Sequence, residues 1–182
     1  MDEKKEESPP SGASLGRAAR LNAEALTALL DGQFADALPR AQESLALREA
    51  ALGTEHPDVA VSLTTLAEVY RSQGRLDDAE RLHRRALGIR EARFGRDHPD
   101  VAASLNHLAV LYNARATYRE AEGLLTRALE IVDKGKGAGG ASRTNRVKAE
   151  ILDNLARVYR AQGRPAEAEE AQAKAAILWA IQ

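Results

Sequence analysis

The chain of 182 residues carries 26 lysines and arginines against 27 aspartates and glutamates, and its formal net charge of -1 gives no overall field toward nucleic acid or an anionic membrane. It has no cysteine, which removes disulfides, thiolate-held zinc and a cysteine nucleophile. Aromatic residues make up 4% of it while alanine, leucine, arginine and glutamate are abundant, a composition that favours helices over strands and predicts an all-α protein.

Residues 1–14, with two prolines, two lysines and four acids, read as a disordered N-terminal tail. No apolar run of signal-peptide length follows the charged start. The longest unbroken apolar run, Ala175 to Ile181, has seven residues, against the ~20 that span a bilayer as a helix. The expectation is a soluble, cytoplasmic protein with neither membrane nor nucleic acid as partner.

From residue 15 onward the sequence repeats. His-Pro-Asp-Val-Ala stands at His56 to Ala60 and again at His98 to Ala102, a period of 42 residues. Leu63, Leu66, Ala67, Tyr70, Ala79, Ala86 and Leu87 fall on Leu105, Leu108, Ala109, Tyr112, Ala121, Ala128 and Leu129 with the same shift. A weaker first copy keeps Leu21, Ala25, Gly32, Ala37, Ser44 and Leu45. A fourth, 47 residues after the third, keeps Leu152, Leu155, Ala156, Tyr159, Ala168 and Ala175. The copies cover about 15–53, 54–95, 96–133 and 145–182.

Each copy contains two amphipathic helical patterns, so each is a helical hairpin. Gly32, Gly74 and Gly163 supply a turn residue able to take positive φ, and the third copy has Ala116 there. Pro57 and Pro99 suit a first helical position, Asp58 and Asp100 suit the first turn, and Gly53 and Gly95 mark the ends of the preceding helices. Alanines 67, 109 and 156 predict close approach between helices, and neighbouring hairpins must stack to bury their apolar stripes.

Residues 133–144 contain four glycines and no large apolar side chain, which predicts a flexible connection. A phosphate-loop reading is weak, because the lysine-serine ending is missing. His56 and His98 occupy equivalent places before a helix-starting proline, so capping or loop packing is favoured over metal ligation, and no metal is expected. His83 reads as a packing residue with a wet edge. The arginines at 81, 84, 85, 90, 93 and 96 are interleaved with Glu80 and Glu91 and have no aromatic to stack a base, so they read as a solvated face. No nucleophile with a base and no placed carboxylate pair is present, so neither catalysis nor a cofactor is expected.

Leu63, Leu66, Ala67, Tyr70, Ala79 and Ala86 resemble the tetratricopeptide repeat (TPR) pattern. The 42-residue period, with Leu105 to Ala109 and Arg85 to Leu87, resembles its kinesin light chain type more narrowly. The chain departs from the pattern where no proline ends the second helix, where the 133–144 connection is five residues longer than the period requires, and at Ala28, which replaces the tyrosine. The resemblance implies an α-α superhelix, a right-handed solenoid of about four hairpins whose first helices line a concave groove for a peptide of a partner protein. By position that groove would present Thr64, Thr65, Glu68 and Arg71, then Asn106, His107, Val110 and Asn113, then Asp153, Asn154, Arg157 and Arg160. The same residues lie off the Leu-Leu-Ala-Tyr stripe, and so cannot all be buried. His107 reads equally as a ligand contact or as a polar surface residue. The implied function is that of a scaffold or adaptor. The alternative is a self-associating subunit, because Ile177, Trp179 and Ile181 flank the buried stripe of the last helix and are expected to be exposed in a monomer. Folding back onto preceding helices, or a fifth repeat beyond residue 182, would cover them instead.

Overall fold

A computed structural model describes residues 12–135 and 141–181. Among these there are eight helices and no strand: α1 (Gly12–Leu30), α2 (Phe34–Leu52), α3 (Pro57–Ser72), α4 (Leu76–Phe94), α5 (Pro99–Ala114), α6 (Tyr118–Lys134), α7 (Ala141–Ala161) and α8 (Pro165–Ala180). They form four helix–turn–helix hairpins, and the fold is all-α. The helices run further than composition implies at two places. α1 takes in residues 12–14 of the expected tail, and α6 and α7 shorten the expected 133–144 connection from both sides. Once a helix is nucleated and packed, each added residue gains one hydrogen bond, so weak formers at its ends are drawn in. The rest of the tail, 1–11, and of the connection, 136–140, lies outside the described residues.

The two histidines before proline cap their helices. His56 Nδ1 accepts the Asp58 backbone N–H at 3.1 Å, and His98 Nδ1 accepts that of Asp100 at the same distance. Each thereby satisfies a donor that the first helical turn leaves open, while Pro57 and Pro99 have no N–H to satisfy.

All four hairpin turns close the same way. The N–H of Gln33, Arg75, Thr117 and Arg164 each returns to a carbonyl five residues earlier, at 2.8–2.9 Å. This closure requires a left-handed residue, supplied by Gly32, Gly74 and Gly163 at φ 73°, 75° and 74°. In the third hairpin Ala116 is held at φ 60°, where its Cβ crowds the following carbonyl. Ala116→Gly should therefore raise stability by about 1 kcal/mol, read as a higher urea midpoint. A lower midpoint would mean that the turn is not under this strain.

Contacts divide the chain into two compact units, residues 1–89 and 90–182. In the first, Ala25, Ala28, Ala37, Ala41, Leu66 and Val69 form one core cluster and Val59, Ala60, Leu63, Ala86 and Ile89 another. Within it Ser44 Oγ lies 2.8 Å from Ser62 Oγ and donates to the Ala18 carbonyl at 2.9 Å, so a polar pair inside the packing is satisfied. In the second unit Leu152, Ala156, Ala168, Ala171 and Ala175 cluster between α7 and α8, and Leu105, Leu111, Leu125, Ile131 and Ile151 are fully buried. Ala67, Ala109 and Ala156 are all buried, as close helix contact demands.

Candidate functional site

In the second unit the first helices α5 and α7 lie side by side. Asn154 Nδ2 donates to Asn106 Oδ1 at 2.9 Å, tying the two helices through residues expected on the binding wall. Val110, Asn113, Asn154 and Arg157 then line one narrow cleft with Ala109, Leu125 and Val158. Asn113 Oδ1 is buried there, and no donor among the described residues reaches it. An acceptor left in this state costs about 1–3 kcal/mol, and the space of about 20 Å³ beside it has room for a donor no larger than a water molecule. Arg157 stands exposed at the rim and His107 is half-buried.

Asp153 and Arg160 are engaged from α8 instead. Gln172 Nε2 donates to Asp153 Oδ1 at 2.7 Å, Arg160 Nη2 donates to Gln172 Oε1 at 2.9 Å, and the Trp179 indole N–H donates to Asp153 Oδ2 at 3.0 Å. Trp179, Ile177 and Ile181 are 41%, 64% and 61% exposed, in line with their position off the buried stripe.

In the first unit α3 presents less than expected. Thr65 is only 3% exposed, with its hydroxyl directed at the Val61 carbonyl at 3.4 Å, so it is a packing residue and not a wall residue. The cause is that α3 is covered on more than one side. Ser62, Leu63, Thr65, Leu66, Ala67 and Val69 are all buried, a broader face than the Leu-Leu-Ala-Tyr stripe defines. Thr64 is half-buried and donates to the Ala60 carbonyl at 2.8 Å. Glu68 accepts from Arg71 Nε at 2.8 Å and, through its other oxygen, from His83 Nε2 at 3.1 Å. His83 is buried and has no wet edge; it fixes Glu68 from behind.

Two residues outside the expected groove set bear on it, Asn22, which is buried, and Gln172, which is half-buried. Asn22 of α1 stands at the same place in its repeat as Thr64, Asn106 and Asp153, and its buried Oδ1 also lacks a donor among the described residues. The 42-residue shift locates it. Gln172, which holds both Asp153 and Arg160, lies on a second helix and carries no sequence signal.

The tetratricopeptide repeat profile matches residues 17–92, 66–134 and 149–180. No curated protein matches the chain in sequence. Among solved structures it is similar to BtubC (BKLC) from P. vanneervenii, with 22% identity and a TM-score of 0.75, over 90% of this chain and 63% of that one. This chain thus spans less than two-thirds of that relative. It is also similar to the nearly identical TPR-like repeats of a Podosopora anserina protein called a kinesin light chain, with 21% identity and a TM-score of 0.63, over 91% of this chain and 96% of that one. These likenesses concern the fold. The helical hairpins, their turns and the profile matches together place the chain in the tetratricopeptide repeat family.

Proposed function

We propose that this protein is a cytoplasmic scaffold or adaptor that holds a segment of a partner protein against its first helices and performs no catalytic step. TPR repeats generally mediate protein–protein interaction, which supports the broad reading. The observation that carries the specific one is the cleft of the second unit, where the unpartnered Asn113 Oδ1 sits among Asn154, Val110 and Arg157. A bound segment brings backbone N–H groups that need acceptors, and an amide side chain can accept from one backbone group while donating to the next.

Replacing Asn106, Asn113 and Asn154 together by alanine removes these groups and leaves the leucine core untouched. With about 1 kcal/mol per hydrogen bond, the triple variant should weaken capture of natural partners on the order of 100-fold while its helical circular dichroism stays that of the wild type. Partners identified by affinity purification and mass spectrometry and retained equally by both proteins would refute the assignment.

A further inference from the structure

The repeat register brings four residues of the second helices to one place: Ala41, His83, Leu125 and Gln172, each 42 or 47 residues after the one before. Two are apolar and two are polar, so no residue type marks the place in the sequence. On the first helices, Leu29, Arg71, Asn113 and Arg160 share a place in the same way.

What happens at the first-helix place follows what stands behind it. Ala41 and Leu29 belong to one apolar cluster of the first unit. Leu125 lines the cleft of the second unit with Asn113, and Asn113 Oδ1 has no donor among the described residues. The two polar residues each hold an arginine. His83 Nε2 donates to Glu68 Oε1 at 3.1 Å, and the other oxygen of that carboxylate accepts from both Nε and Nη2 of Arg71 at 2.8 Å. Gln172 Oε1 accepts from Arg160 Nη2 at 2.9 Å, while its own amide N–H donates to Asp153 Oδ1 at 2.7 Å.

Packing does not call for polar groups at this place, because α2 fills it with a fully buried alanine and α6 with a fully buried leucine. A histidine 1% exposed beside a carboxylate is an expensive substitute, since the desolvation of such a pair offsets most of its attraction. The polar choice therefore serves the first-helix side chains in front of it.

We propose that His83 and Gln172 are positioning residues for partner recognition. Without meeting the partner themselves, they hold the Arg71 and Arg160 guanidinium groups in one direction on the wall before a segment binds. The inference rests on the wall reading given above. An arginine that a ligand must fix loses rotamer freedom on binding, and one that is already fixed loses less.

The test places leucine, the residue of α6, at each position in the full chain. The probe is the partner recovered by affinity purification of the wild-type chain, titrated by fluorescence anisotropy. His83→Leu and Gln172→Leu should each weaken its binding roughly three- to tenfold, with helical circular dichroism and urea midpoint close to those of the wild type. His83→Gln, which gives α4 the amide that α8 carries, should recover most of the loss. In NMR of the free chain, the Arg71 Nε–H should exchange with water faster in His83→Leu than in the wild type or His83→Gln. Unchanged affinity in both leucine variants overturns the proposal. A loss matched by a lower urea midpoint, or shared equally by His83→Gln, assigns the place to packing and overturns it as well. The triple asparagine variant measured alongside separates the two readings. If it alone loses affinity, the wall stands and the positioning role falls; if it binds as the leucine variants and the wild type do, the wall reading falls too.

Discussion

Leu105→Ala is expected to lower stability by about 3 kcal/mol, the largest effect of any single change considered for this fold. Leu105 is fully buried on α5, at the same place in its repeat as Leu63 on α3 and Leu152 on α7, both also buried. Truncation removes three carbons' worth of burial and leaves a cavity that helices held by their own hydrogen bonds cannot close. For a chain of this size each kcal/mol corresponds to about 2–4 °C, so the melting temperature should fall by roughly 10 °C. Repeat proteins need not melt as one unit, and hydrogen exchange locates the damage. Protection should be lost first in α5 to α8 of the second unit and retained in α1 to α3 of the first. A stability change below about 1 kcal/mol would show that α5 is not packed through this residue.

Ala109→Leu should cost about 1–3 kcal/mol by the opposite route, overfilling a contact instead of emptying one. Ala109 is buried and shares its place with Ala25, Ala67 and Ala156, all buried, so four first helices use a methyl group where backbones come close. Ala114 on the same helix is exposed, and Ala114→Leu should stay within about 0.5 kcal/mol of the wild type. Urea denaturation of the pair separates packing from helix propensity, which is the same substitution in both. Equal effects would contradict the contact register assigned to α5.

The hairpins were legible because their signals are local and repeated. A 42-residue period fixes which leucines and alanines are equivalent, glycine marks three of the four turns, and His-Pro-Asp marks two helix starts. Ala116 shows the limit of reading single residues, since the turn geometry imposed by its neighbours overrides alanine's own preference. The wall was legible only as a set of positions. Whether a position is open depends on how many sides of its helix are covered, and this is why Thr65 is buried while Arg157, eight residues past the buried Ala149 on α7, is exposed. Side-chain pairing across helices, such as Asn154 with Asn106, Glu68 with His83 and Gln172 with Asp153, joins residues 15 to 48 apart and leaves no mark in the pattern of either helix.

The central claim, that the first-helix wall of the second unit receives the partner, is tested most directly by photocrosslinking. A benzoylphenylalanine placed at Arg157, exposed on α7, should capture the partner on irradiation, whereas the same residue placed at Thr126, exposed on the second helix α6, should not. Crosslinking from position 126 with none from position 157 would contradict the account.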